Sequence, residues 1–589
     1  MQTAQRAPAK EGMSKTEPLQ ETKVAGVLVP VFAIRTEDDL GIGDVQGVRR
    51  MIDWLSQMGM GFLQVLPINE IGRDNSPYNA ISSVALEPTT LDCSPQGLPD
   101  LTEHHFEEIA GGARLEYFRT GPIQYERVKR LKHDLLWQAF ENFWARDYSR
   151  STQRDAEFHR YCAGQRGWLG DYCLYRLLMD MEGGSEMWNS WSEDYCDIAK
   201  ARAFVETLLE LDRERTEKQL AYYAYVQWVA RTQWEDTRDY ARLRGVQLMG
   251  DVPFGISYHS VDVFCNPQLF DLEWSGGAPP ETNFKDDEFT QKWGQNWGIP
   301  LYRWDAMEAD GFAWWKQRIE KLTEIFSSFR LDHALGFYRI YSFPWRPERN
   351  GEFLALDQEE ARRRTGDRLP RFSLRDDDCE ENRALNRSAG EKYLRVICEA
   401  AGEAEVIAED LGMVPDYVGP SLRDLGIPGM KVPMWQVEDG APRPGSDYPY
   451  LSMATYATHD HEPLRTQWKS LRRAAGKQEG SDAESARHNL GLLAKFAALE
   501  GDPQQINYTE NTREAFLRAI FASESKYVSV MITDLLGLEQ RFNVPGVVGE
   551  ANWTTRMETT MEDLLRNRKW IRLAAKTRKL LDETGRVGE

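Results

Sequence analysis

The sequence predicts an α/β chain folded as a (β/α)8 TIM barrel, with mostly helical insertions over its C-terminal face and no C-terminal β-sandwich domain. Three observations predict it. Eight short strand-type runs recur along the 589 residues. Helix-period stretches separate them, as parallel strands joined by crossovers require. Acidic residues collect at the C-terminal ends of the runs, the face on which such barrels build their sites.

The first run, "GVLVPVFAI" (26–34), is almost continuously apolar, as a strand covered on both faces must be. "GFLQVLPI" (61–68) follows the helix-period stretch "VRRMIDWLSQMG". The third run, "VQLMGDVPF" (246–254), comes after "YAYVQWVARTQWEDTRDYARLRG", and the fourth, "SFRLDHALGF" (328–337), after "WWKQRIEKLTEIF". Then come "AEVIAEDLG" (404–412), "GMKVPMWQV" (429–437), "SMATYATHD" (452–460) and "KYVSVMITD" (526–534). Uneven spacing marks the insertions. The predicted divisions are a disordered tail at 1–24, first barrel strands at 25–94 and a helical insertion subdomain at 95–200. Barrel again at 201–345, a charged insertion at 346–395, and barrel at 396–589 with a helix-rich insertion near 469–525 complete the chain.

Composition narrows the function. A formal charge of −21 argues against nucleic-acid and anionic-membrane partners, which need basic surfaces, and favours a neutral substrate. No apolar run approaches the ~20 residues of a membrane span, and the first residues lack the apolar core of a secretory signal. The seven cysteines are odd in number and scattered, without a CxxC pair, so reduced thiols and a cytoplasmic location are expected. Nineteen tryptophans are many. Most are expected to pack helices on the barrel, and some to offer an indole face to a ring-shaped ligand.

Asp251, Asp332, Glu409, Asp460 and Asp534 all lie at or near the C-terminal ends of apolar runs. One such acid is better explained as a helix cap; of five, several are expected to converge on one site. Within "FRLDHALGF", alternation puts Arg330 and Asp332 on one side and Phe329, Leu331 and His333 on the other. The guanidinium beside Asp332 would keep it ionised, as a nucleophile requires, although a structural ion pair is the commoner reason for such a pair. Of Glu409 and Asp410, one is expected to cap the next helix, leaving the other as a candidate general acid. His459, Asp460, His461 and Glu462 stand together, and their H-x-H spacing also suits a metal.

"RLDHALGF", "IAEDLG" and "ATHD", in that order, resemble three regions of the α-amylase superfamily. "GIGD" (41–44), "LQVLPINEIGRDNSPYNAISS" (63–83), "GDVPFGISYHSVDVFCNPQLFDL" (250–272), "GQNWGIPLYRWDAM" (294–307) and "DLLGLEQRFNVPGVVGEANWTTR" (534–556) narrow the resemblance to the 4-α-glucanotransferases, also called amylomaltases or disproportionating enzymes. The resemblance runs from about residue 26 to 556. It implies Asp332 as nucleophile, Glu409 as acid/base and Asp460 as the third acid. It further implies substrate-binding roles for Ser76, Tyr78, Asp251, Trp297, Arg330, His333 and His459, and for Asn543 and Asn552 in the last segment. Maltooligosaccharides and linear α-glucans are the implied substrates, with no metal and no cofactor. Nothing in the sequence fixes an oligomeric state. Leu335 stands where the common "DHFRG" has arginine, Ile299 replaces the asparagine of "WGNP", and "THDHEP" replaces "THDND". Two rival activities use some of the same residues. A glucan hydrolase would need all three acids; a binuclear metal hydrolase would recruit His333, His459, Asp460 and His461, yet the first strand offers it no histidine. A glucan-binding scaffold without activity would be expected to lack one of the three acids, and all are present.

Overall fold

The computed structural model describes residues 22–281, 287–477, 480–545 and 552–587. Most of the expected N-terminal tail, through residue 21, lies outside the described residues. The barrel strands are β1 (Val24–Leu28), β2 (Phe62–Gln64), β3 (Gln247–Val252), β4 (Ser328–Leu331), β5 (Glu405–Ala408), β6 (Gly429–Lys431), β7 (Ser452–Ala454) and β8 (Tyr527–Met531). They pair in parallel in chain order, and β1 closes on β8 with Val24 opposite Tyr527 and Leu28 opposite Met531. Seven of the eight apolar runs hold one of these strands, and the first overlaps β1, which begins earlier, at Val24, the last residue of the expected tail. The strands are shorter than the runs, because the rim breaks the ladder. Pro30, Pro67, Pro253 and Pro433 stand just beyond four of them and supply no N–H, and His333 beyond β4 takes a left-handed φ of 46°.

Side chains alternate between two apolar layers. Phe62, Met249, Ile407, Met430, Met453 and Tyr527 form one tight cluster across six strands. The outward positions of β4, Phe329 and Leu331, pack with Ile319, Leu394 and Ile397 of the helices that follow β3 and precede β5. Gly26 is required in β1, since a Cβ there would lie 2.4 Å from the Phe62 ring. Between β2 and β3 the chain is helical, its longest members being Tyr125–Arg146 and Arg213–Leu243. After β8 come the helices Met561–Arg566 and Arg568–Glu583, and no strand follows among the described residues. No described helix is long and apolar enough to cross a membrane, and all seven cysteines are free thiols.

The insertions around β4 differ from the expected mostly helical layer. Four strands, Gln295–Tyr302, Phe270–Ala278, Ile340–Phe343 and Arg371–Ser373, make an antiparallel sheet in that spatial order. The charged 346–395 stretch contributes only the last of them, between helices Gln358–Thr365 and Glu380–Ala401. Glycines and register shifts explain why the sheet escapes a periodicity reading. "FDLEWSGGA" pairs irregularly between Asp271 and Ser275 and again between Gly276 and Gly277. The "IYSF" just beyond the fourth run is a separate strand, Ile340–Phe343, reached through a turn and a 3-10 helix at Ala334–Phe337.

Candidate active site

The inward alternation of β4 carries the centre of the site. Arg330, 4% exposed, donates to Asp332 Oδ1 at 2.6 Å and to Asp251 Oδ2 of β3 at 2.7 Å. His333 no longer obeys the alternation that sends Phe329 and Leu331 outward, because β4 has ended. Its ring meets the edge of Trp297 at 4.7 Å and Phe254 at 6.2 Å, and its backbone N–H donates to Glu409 Oε2 at 2.8 Å. The nucleophile candidate and the acid candidate therefore sit at the ends of neighbouring strands, β4 and β5.

A second arm runs across the barrel mouth. The Tyr78 hydroxyl donates to Asp251 Oδ2 at 2.7 Å and lies 3.3 Å from His459 Nδ1. The Tyr78 and His459 rings stack with centroids 4.8 Å apart. His459 Nε2 stands 3.2 Å from Asp460 Oδ2, and Asn543 Nδ2 donates to Asp460 Oδ1 at 2.6 Å. Ser76 shapes the turn that presents Tyr78, its Oγ accepting the Tyr78 N–H at 3.3 Å. Residues from β3, β4 and the loops after β2, β4 and β7 thus form one chain of contacts: Asp332–Arg330–Asp251–Tyr78–His459–Asp460.

The carboxyls differ in protonation. Burial, reinforced by the charge of Asp332, pushes Glu409 up to about 7, against the pull of Arg330 and the His333 amide. Burial also raises Asp251 despite Arg330. For Asp460, burial works upward but is outweighed by His459, Asn543 and Arg330, which hold it well below the usual carboxylate range. Burial depresses His333 to about 4, leaving it neutral at neutral pH. An acid held protonated in the same mouth as the ionised Asp460 is the arrangement that proton transfer to a leaving group needs.

The family model of the 4-alpha-glucanotransferases matches residues 29–561. This chain belongs to the 4-alpha-glucanotransferase family. The 4-alpha-glucanotransferase of Chlamydia pneumoniae is 28% identical over 560 residues, covering 92% of this chain and 93% of its own. That of Thermus thermophilus is 28% identical over 520 residues, covering 86% and 90%. The solved structure of an amylomaltase from Streptococcus agalactiae, in complex with acarbose, has the same fold. Its TM-score is 0.72 at 22% identity, covering 96% of this chain and 100% of that one.

Four of the five strand-end acids of this glucanotransferase-family chain meet at the mouth; Asp534 does not join them. It lies in the helix Ile532–Leu536 that begins as β8 ends, and its Oδ1 accepts the Leu464 N–H at 2.7 Å. Asp410 caps no helix. It accepts the Met430 N–H of β6 at 2.6 Å and lies 3.6 Å from Lys431 Nζ. The metal reading of the H-x-H gains no cluster: among the described residues no group of three His, Cys, Asp or Glu is placed to hold an ion. His461 Nδ1 instead pairs with the Thr458 hydroxyl at 2.8 Å. Asn552 accepts the Val544 N–H and donates to the Val544 carbonyl, one residue beyond Asn543. Two neighbours were missed from sequence. Trp553 stands 6.0 Å from the Tyr78 ring and 5.9 Å from His459, and Arg541 donates to the Asp460 carbonyl. Both lie inside the motif 534–556. The substituted Leu335 and Ile299 pack against one apolar cluster that includes Phe254 and Phe337, so both exchanges put aliphatic groups into the same layer.

Proposed function

We propose that this chain transfers α-1,4-glucan segments between maltooligosaccharide or linear glucan donors and acceptors by a retaining double displacement. The observation that carries this reading is Glu409. It is held protonated towards neutrality and hydrogen-bonded to the residue after Asp332, itself paired with Arg330. In the first step Asp332 attacks the anomeric carbon while Glu409 gives its proton to the departing glycosidic oxygen, leaving a covalent β-glucosyl ester. In the second, Glu409 takes the proton of an acceptor 4-hydroxyl, which attacks the same carbon and releases Asp332. Two inversions restore the α-linkage. Asp460, ionised and fixed by His459 and Asn543, accepts from ring hydroxyls of the distorted sugar. Tyr78, His459, His333 and Trp297 supply the flat faces around it, with Ser76, Asp251 and Arg330 behind them. Both steps are acid–base and nucleophilic chemistry at carboxyls, so the mechanism calls on no cofactor or metal. The substrate is neutral, and action in the cytoplasm fits the free thiols.

Hydrolysis would use the same carboxyls with water as the second acceptor. Incubation with maltotriose alone separates the two. Transfer gives glucose and a ladder of longer oligomers at constant total reducing ends. Glucose and maltose alone, with reducing ends rising, would sink the transferase reading.

A further inference from the structure

The turn that carries Asp460 is held at both ends by a single segment after β8. At its start, Arg541 donates to the Asp460 carbonyl at 2.5 Å and Asn543 to its carboxylate at 2.6 Å. At its far end, Asp534 Oδ1 accepts the Leu464 N–H at 2.7 Å, and Arg465 donates to the Gly537 carbonyl at 2.8 Å. Only His461, Glu462 and Pro463 lie between.

Leu464 opens the helix Leu464–Ala475, and no local side chain caps that end. The first amides of a helix have no partner within it, so Leu464 depends on an acceptor from elsewhere in the fold. Asp534 supplies one from seventy residues away. It is 3% exposed, and the barrel's own turn into the helix Ile532–Leu536 fixes its backbone. Burial drives its carboxyl up to about 7, a cost that a neutral serine or asparagine cap would avoid. A short carboxylate reaching a fixed amide from a rigid barrel end does what a flexible cap cannot: it sets the distance between two loops.

We propose that Asp534 is a positioning residue for Asp460, locking the helix Leu464–Ala475 so that the turn before it presents the third carboxylate at one height over the site. The inference rests on the sugar-binding role given to Asp460 above. Asp534 touches no part of the mouth, so its effect passes through Leu464 and the turn.

The test is a double-mutant cycle on maltotriose transfer, with Asp534→Ala and Asp534→Asn each made in the parent and in Asp460→Asn. In the parent, Asp534→Ala is expected to lower kcat by about tenfold or more with KM within about twofold, the pattern of an interaction made in the transition state. Asp534→Asn keeps an acceptor oxygen and should recover most of that loss. In the Asp460→Asn background the alanine change should cost less than about twofold. Equal losses in both backgrounds, or an unchanged kcat in the parent, would overturn the proposal. If the alanine variant does not fold, Asp534→Ser, whose shorter side chain withdraws from Leu464, takes its place under the same criteria. An Asp460→Asn enzyme with full activity would instead remove the role assigned to Asp460, and with it the reading on which the inference stands.

Discussion

Asp332 is the residue whose loss is most informative. Its partner Arg330 keeps a second carboxylate, Asp251, so removing one charge leaves the buried guanidinium paired. Asp332→Asn should lower kcat about 10⁴-fold or more, with Tm within about 2 °C of the parent. Transfer at more than a hundredth of the parent rate would refute the nucleophile. For Glu409 the sign follows from which form works. In the proposed mechanism the protonated carboxyl donates the first proton, and burial keeps that form abundant up to about pH 7. Above that, kcat/KM should fall about tenfold per pH unit. A profile flat from pH 6 to 9 would reject Glu409 as the acid. Asp332, Glu409 and Asp460 are legible as candidates because each ends an apolar run. Asp534 ends one too, and nothing in its neighbours distinguishes it. Its direction is decided by a helix that starts one residue after β8, a three-dimensional fact with no local signature.

At the scale of elements, the eight strands were legible and the sheet beside them was not. A buried parallel strand announces itself by an unbroken apolar run. The antiparallel sheet is half exposed, glycine-rich and bulged, so neither period survives in its sequence. That sheet nevertheless delivers Trp297, 40% exposed, to the rim, where it stands edge-on to His333. An indole presented this way has a free face for a sugar ring. Trp297→Ala should raise the KM for maltotriose by about three- to tenfold, the range of one lost stacking contact, with a smaller change in kcat. An unchanged KM would mean that the ring is a wall and not a platform.

For the whole molecule, closure of the barrel is the governing event, and its N-terminal end has its own fastening. Arg586 is fully buried and donates to the carbonyls of Phe521, Ser523 and Ser525, with longer contacts to Val24 and Lys526. It ties the last helix to the seam between β1 and β8. Arg586→Ala would strand several buried carbonyls and should cost about 3 kcal/mol, seen as a Tm several degrees lower. Because the seam is at the opposite end from the carboxyls, kcat at low temperature should be unaffected. A variant with parental Tm would show that water replaces the guanidinium without loss.

The contact chain from Asp332 to Asp460, with Asn543 bonded to its end, draws on pieces of chain hundreds of residues apart in order of synthesis, from Tyr78 to Asn543. No contiguous fragment holds a working set. Activity is therefore a clock for the last stage of refolding: helices, being local, form early, whereas the site exists only once β8 has docked on β1. After dilution from denaturant, recovery of transfer should trail recovery of the far-ultraviolet helical signal. Simultaneous recovery would mean that the barrel closes before its helices settle.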